Sequence, residues 1–360
     1  MINTILAIAL FAATVVLGGA PSTVSPRASR TTDSVMIPAT IADSIAVILF
    51  SSFNVDRLEI CSTRGLRVNG SARTVAATTI VAADGAGMTI DGKRATACVV
   101  TAPPGGEIII TADQRKKTVR GSLTITRAET RLRGIITMPR RDYLAATLSA
   151  EASPNDPMEY LTALSVLQRN YILAHPRRHA PEADICDNTH CQLADLRDLS
   201  PRVYEAVDRA MRLTMTADGN YPSYYSVNCG GSTLTPAQVW KHLERGYSNV
   251  ICNHCRMSPH YRWERRFAAD QRSAAIIRAA HHPPFVDDDF KIKLGRLVGF
   301  NKVLSNAIDR IEQRGDTIVI TGHGFGHRVG FCQEGAKTLA SNGWKAEAIL
   351  RFYFPTATIR

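Results

Sequence analysis

The chain has 360 residues, 45% of them hydrophobic and 21% charged, with a formal net charge of +11. That length exceeds one average domain and can bury a large core, and the composition excludes a chain disordered throughout. The positive balance suits an anionic polymer as partner. Nucleic acid is the usual one for a basic chain, but no nucleic-acid-binding motif is present, so none is expected.

Taken in order, Ile2 to Gly19 is an apolar run, and residues 1–20 contain no Lys, Arg, Asp or Glu. A small-residue stretch follows, then a polar, Ser/Thr-rich segment to about Asp33. This is the pattern of a secretory signal peptide over 1–20 with a linker over 21–41, although no basic residue precedes the apolar run. An uncleaved anchor is the alternative, because the run lies near the lower limit for spanning a bilayer. No Cys follows it, so a lipid anchor is not expected. Either way the body of the chain is expected outside the cytoplasm, in the periplasm, the envelope or the medium.

From Ala42 to Thr137 short β-rich runs alternate with turn signals: Ile45 to Phe50, Thr78 to Ala82, Thr89-Ile90 before an Asp91-Gly92 turn, Ala97 to Val100, Glu107 to Thr111, Ser122 to Thr126 and Leu132 to Thr137. The spacing predicts an antiparallel β module over 42–137. A mixed helical and β region over 138–360 follows, making the fold class α+β.

Met138 to Gln192 opens that second region. Its Leu, Ala and Tyr content predicts a helix over Arg140 to Ala152, on which Tyr143, Thr147 and Glu151 share one face and Leu144 and Leu148 an adjoining apolar one. Pro154 ends it. Asp156, Pro157 and Glu159 then stand at the N-cap, N1 and N3 positions of a second helix, in a capping-box arrangement. Glu151 therefore closes a half-buried helix at a tight corner. A carboxyl group shielded there can have its pKa raised far enough to act as a general acid; the alternative is an ordinary solvated glutamate.

Beyond Gln192, Ser200 to Met215 has helical spacing, Asp218-Gly219 makes a turn, and Tyr224 to Asn228 reads as a strand running into Cys229-Gly230-Gly231-Ser232-Thr233. Successive glycines permit positive φ or close approach to a ligand, or make a plain turn. Near the C-terminus, Thr321 to Ala336 reads TGHGFGHRVGFCQEGA. The four glycines Gly322, Gly324, Gly326 and Gly330, interspersed with two histidines, make a poor helix, so this is a Gly/His-rich loop able to face a cleft. His323 and His327 have H-x3-H spacing without the helix and intervening glutamate of a zincin, which argues against metal at this loop. A last amphipathic helix and Phe352-Tyr353-Phe354-Pro355 end the chain.

There are eight cysteines. Cys61 and Cys98 fall in the β module, as buried singles or as one disulfide. Cys186, His190 and Cys191 form a cluster with His179 upstream, and Cys252 and Cys255 form a C-x2-C pair. Cys and His in sets of four suit tetrahedral Zn²⁺, while disulfides are the competing arrangement in an oxidising compartment. Cys229, Cys252 and Cys255 could complete either.

Together, Tyr143-Leu144 with Glu151, Met158 to Tyr171, and Cys186 to Gln192 (CDNTHCQ) resemble the stage II sporulation protein D and LytB amidase-enhancer family (SpoIID/LytB), with its YL-x6-E motif, LKAQAVAARTYA-type helix and CDTTHCQ-type loop. Thr118 to Gly121 is similar to the family's YRG element with Val119 in place of tyrosine. Tyr225 to Thr233 is similar to its Y-x4-GG-x-T loop, and Trp240 and Trp263 fall where it carries tryptophans. The TGHGFGH segment resembles its GHGxGHGVGMSQxGA motif, with Arg328 replacing a glycine and Phe331-Cys332 replacing Met-Ser.

The resemblance implies a peptidoglycan lytic transglycosylase in which Glu151 alone serves as acid and then base, giving 1,6-anhydro ends. It further implies substrate contacts from Tyr225, Gly230, Gly231, Thr233, His323, His327 and Gln333, and a structural zinc on His179, Cys186, His190 and Cys191. Peptidoglycan glycan strands would be the partner. The alternative from the LytB branch is a non-catalytic glycan-binding module that enhances a wall amidase. A metal-dependent amidase using the Cys/His cluster is disfavoured, because a closed four-ligand site leaves no position for water. Asp156 and Asp187 are the nearby carboxylates a hydrolase would need, and a helix cap and a turn account for them.

Overall fold

A computed structural model describes residues 43–75, 77–85, 87–194, 199–279 and 288–360. The expected leader and linker lie outside the described residues. The first region is entirely β: β1 (Ser44–Leu49), β2 (Arg57–Cys61), β3 (Leu66–Val68), β4 (Ser71–Arg73), β5 (Thr79–Asp84), β6 (Gly87–Ile90), β7 (Lys93–Ala95), β8 (Ala97–Thr101), β9 (Ile108–Ala112), β10 (Arg115–Val119), β11 (Ser122–Ala128) and β12 (Arg131–Pro139). Each run anticipated from alternation is a strand here. The Asp91-Gly92 hairpin forms with both residues at positive φ, 49° and 79°, which glycine adopts freely and aspartate tolerates.

Within β12 burial alternates along the strand, and Leu132, Gly134, Ile136 and Met138 are turned inward. The same period in β5, β9 and β11 gives two sheets, in the orders β13-β1-β12-β11-β8-β3-β4 and β10-β9-β2-β5-β6-β7. Their apolar faces meet through Ile60, Val81, Ile110, Ile125 and Ile136, all buried. The strands β4, β7 and β10 show little alternation, and β3 alternates over three residues alone, which hides all four from a hydrophobic-pattern reading.

The chain turns directly from β12 into α1 (Arg140–Glu151), then α2 (Met158–Ala174), β13 (Ile185–Cys186), α3 (Pro201–Met211), β14 (Met215–Ala217), β15 (Tyr225–Ser226) and α4 (Pro236–Trp240). After a single 3-10 turn at Asn253–Cys255 come β16 (Arg262–Ala268), α5 (Gln271–Ala279), α6 (Asp288–Val298), β17 (Ile308–Arg314), β18 (Thr317–His323), β19 (Phe331–Cys332), α7 (Gln333–Ser341), α8 (Ala346–Tyr353) and β20 (Ala357–Ile359). The fold is α+β. The central element is α2, buried along nearly its whole length and packed on α1, α3, α7 and α8. A second, smaller core of Trp263, Leu294, Val303, Leu304, Ile308, Ile318 and Ile320 lies between α6 and the sheet β16-β18-β17. No helix among the described residues is long and apolar enough to cross a membrane.

Three local expectations are corrected. Helix α2 begins at Met158 after Pro157, without a side-chain cap. Asp156 instead accepts from the Ser153 amide at 3.0 Å and pairs with Lys337 at 2.9 Å, while Glu159 accepts from the Ala346 amide at 3.0 Å. Both would-be capping carboxylates are drawn away by partners distant in sequence. The helix starting at Ser200, whose hydroxyl caps the Arg202 amide at 3.1 Å, stops at Met211 rather than Met215, because Met215–Ala217 is claimed by pairing with β20. Of Tyr224 to Asn228 only Tyr225–Ser226 is strand, paired parallel with Phe331–Cys332.

Candidate functional site

Glu151 is the last residue of α1. The helix is anchored above it by Tyr143, Leu144, Thr147 and Leu148, all with no exposed surface, so its C-terminus is fixed against α2. Glu151 itself retains a partly exposed edge while its carboxyl lies within the protein. Burial raises its pKa above the ordinary carboxylate range, and a hydrogen bond from Gln333 works in the opposite direction. That bond runs from Gln333 Nε2 to Glu151 Oε2 at 3.5 Å, across 182 positions of sequence. Gln333, the first residue of α7, is thus brought to the acid itself. Tyr225 is half-buried, and its phenol pKa is raised by burial first and by the charge of Glu151 second.

The loops around this corner interlock. Asn228 and Phe325 bridge through paired backbone bonds of 3.2 and 2.8 Å, joining the Gly-Gly segment to the Gly/His loop. Gly230, at φ +68°, lies where a Cβ would come within 2.6 Å of His323 Cδ2 and 2.9 Å of the Gly324 nitrogen. A Cβ on Gly231 would meet the Tyr261 hydroxyl at 3.0 Å. Both glycines therefore serve close loop packing. Thr233 has no exposed surface; its hydroxyl donates to the Ser248 carbonyl at 3.1 Å and accepts from the Val250 amide at 2.9 Å, a loop-building role.

His323 is half-buried and paired with Asp309 at 2.8 Å; burial first, then Arg328, hold its pKa below the usual value. Against Tyr224 and Trp240, His327 accepts from the Val329 amide at 3.0 Å through Nδ1 and contacts Ser226 Oγ at 3.2 Å. Desolvation lowers its pKa to about 4, so it is a neutral loop-fixing imidazole at neutral pH.

Sequence reasoning passed over Glu334, next to Gln333. It accepts from Asn228 Nδ2 at 2.6 Å and pairs with His260 Nδ1 at 2.8 Å. Burial works to raise its pKa, but hydrogen bonds from His260, Ser258 and Asn228 outweigh it and leave the net shift downward. The carboxyl groups of Glu151 and Glu334 are thereby pushed in opposite directions. Asp187, the other carboxylate of interest, is a structural lock: it accepts from the Phe50 amide at 2.7 Å and the Ser51 hydroxyl at 2.7 Å, and pairs with Lys117 at 3.0 Å.

His179, Cys186, His190 and Cys191 place one ligand atom each within 4.8 Å of all the others. His179 Nε2 is 3.3 Å from Cys191 Sγ, and His190 Nδ1 is 3.7 Å from both sulfurs. The Cys186 thiol is pulled down, chiefly by its hydrogen bond with Cys191. Two sulfurs and two imidazoles converging in this way could hold a metal ion, and a closed four-ligand set leaves no position for substrate. The cluster braces the Glu151 corner: Tyr143 on α1 donates to Gln192 at 3.2 Å, and Tyr171 on α2 donates to the His190 carbonyl at 3.3 Å. A second group, Cys229, Cys252, Cys255 and Cys332, converges equally and is fully buried. Cys61 and Cys98 both stay free, one in each sheet.

Residues 128–217 match the family described as SpoIID, stage II sporulation protein. That segment, which carries Glu151, the Cys186–Gln192 loop and α3, is similar to the SpoIID family. An uncharacterized protein of Brachyspira hyodysenteriae (strain ATCC 49526 / WA1) is 26% identical over 245 residues, covering 59% of this chain. The chain spans 64% of the length of that relative.

Proposed function

We infer that the protein is an exported peptidoglycan lytic transglycosylase with Glu151 as its single acid and base. The observation that carries this reading is a carboxyl group at a rigid helix end, raised in pKa by burial and touched by Gln333 from the start of α7. A protonated Glu151 gives its proton to the glycosidic oxygen as the MurNAc–GlcNAc bond breaks. The same group, now a carboxylate, takes the proton of the muramyl C6 hydroxyl, whose oxygen bonds to the anomeric carbon and closes the 1,6-anhydro ring. No water is consumed, and Glu151 ends protonated as it began. The other carboxylates near the corner are committed: Glu334 to Asn228 and His260, Asp187 to β1, and Asp156 to Lys337.

His323, with its half-buried ring, and Gln333 are the candidate side-chain contacts for the glycan. Gly230, Gly231, Thr233 and His327 shape the loops that present them. His179, Cys186, His190 and Cys191 would hold a structural Zn²⁺ that fixes the Cys186–Gln192 loop against α1 and α2. The +11 charge suits the anionic wall.

The test is mass spectrometry of peptidoglycan, intact and stripped of stem peptides, after incubation with the protein and with Glu151→Gln. New 1,6-anhydro-muramyl ends from the wild type alone are expected. Binding of the glycan by both proteins without any release would replace this reading by the amidase-enhancer one.

A further inference from the structure

The four cysteines outside both the β module and the CDNTHCQ loop come from three separate places: Cys229 before the double glycine, Cys252 and Cys255 at the 3-10 turn, and Cys332 at the N-terminus of α7. All four sulfurs lie within 4.8 Å of one another, and Cys229 and Cys255 are 3.6 Å apart. A tetrahedral ion with Zn–S bonds of about 2.3 Å sets its sulfurs ~3.8 Å apart, so the spacing is that of one shared centre. We propose that Cys229, Cys252, Cys255 and Cys332 bind a second structural zinc ion, independent of the His179 cluster.

The surroundings are those of thiolates. The Cys229 amide donates to Cys332 Sγ at 3.3 Å, and the Tyr353 hydroxyl is 3.3 Å from Cys252 Sγ. Cys332 stands at a helix N-terminus, where negative charge is favoured. Gly335, on the first turn of α7, leaves room for the sulfurs: a Cβ there would lie 2.7 Å from Cys252 Sγ and 3.4 Å from Cys332 Sγ. Four thiolates around a dication carry a net charge of −2, which is costly to bury without a counter-charge. Arg328, only 7% exposed, supplies one. Its guanidinium donates to the carbonyls of Cys229 at 2.8 Å and Ser232 at 3.3 Å, wrapping the loop that carries the first ligand. It does so from a backbone at φ +66°, a conformation costly for a residue with a side chain.

Binding replaces four S–H protons by one Zn²⁺ and releases the protons to solvent. The ion ties the Gly-Gly loop, the 3-10 turn and the start of α7 into one unit, and the residue after Cys332 is Gln333. The site goes beyond the transglycosylase reading and stands whether or not the protein cleaves glycan.

The experiment is metal analysis and intact mass of the purified protein, alongside Cys186→Ser and Cys332→Ser. Cys186→Ser should retain one zinc per chain, removed from the folded protein only by denaturation or strong chelation, and Cys332→Ser should lose that ion. Because Cys332→Ser may not fold, cobalt is also loaded into Cys186→Ser, where a tetrahedral four-thiolate spectrum with strong sulfur-to-cobalt charge transfer is expected. Zinc-free protein with the mass of two disulfides, iron in place of zinc, or a cobalt spectrum lacking four-thiolate character would each overturn the proposal.

Discussion

Replacing Gln333 by leucine removes a hydrogen bond that favours the charged form of Glu151 while keeping the side chain's bulk. A hydrogen bond to a charged group is worth about 1.5–3 kcal/mol in good geometry. At 3.5 Å between Gln333 and Glu151 the contact is at the long end of the range, so about 1 kcal/mol is a fair measure. That corresponds to a roughly fivefold rise in the ratio of protonated to ionised Glu151 at a given pH. In the proposed mechanism the free protein must carry the proton to attack the glycosidic bond, so kcat/KM should fall as pH rises through the pKa of Glu151. Gln333→Leu should therefore move the alkaline limb of the kcat/KM profile to higher pH, read with a soluble glycan fragment as substrate. A limb that stays in place, or moves to lower pH, would refute the coupling of Gln333 to the acid.

Glu151→Gln should melt at a higher temperature than the wild type at neutral pH and at the same temperature in acid. The folded-state pKa of Glu151 is raised, so its favourable contribution is full below the unfolded value and is lost as pH rises through the folded one; glutamine has nothing to lose. Asp187→Asn should cost about 3 kcal/mol in denaturant unfolding, since it breaks a buried carboxylate's bonds to Phe50, Ser51 and Lys117, yet leave cleavage per folded molecule unchanged. A loss of chemistry without loss of fold would make Asp187 a second catalytic carboxylate. Gly230→Ala should destabilise by about 2 kcal/mol or more, combining a positive-φ penalty with the 2.6 Å approach to His323. Unchanged unfolding would mean that the two loops do not pack as described.

Local chemistry carried much of the architecture. Period-two alternation located the long strands, as in Ile45 to Phe50 and Leu132 to Thr137, because one face of each is committed to the core. The helix ending in Glu151 was legible from its Leu, Ala and Tyr content. What failed was decided at a distance. Asp156 and Glu159 have the spacing of a capping box, but Lys337 and the Ala346 amide, nearly two hundred residues on, take them instead. Met215 has helical neighbours, yet β20 pairs with it from the C-terminus.

At the site, the Gln333 side chain reaches Glu151 and Glu334 pairs with His260, and no spacing in the chain encodes either meeting. Cys332 was read only as a replacement for serine in the Gly/His motif. The signal that could have placed it was parity: with two cysteines in the β module and two in the CDNTHCQ loop, four of the eight remain, and Cys229, Cys252 and Cys255 lack a fourth ligand without it.

The central claim is that one carboxyl group cleaves the glycan without water. Its most direct measurement is the reaction of glycan strands with the protein in ¹⁸O-labelled water, followed by mass spectrometry of the new ends. The account predicts 1,6-anhydro ends one water lighter than reducing ends, free of ¹⁸O, and absent with Glu151→Gln. Reducing ends that carry ¹⁸O, or anhydro ends that persist in Glu151→Gln, would contradict it.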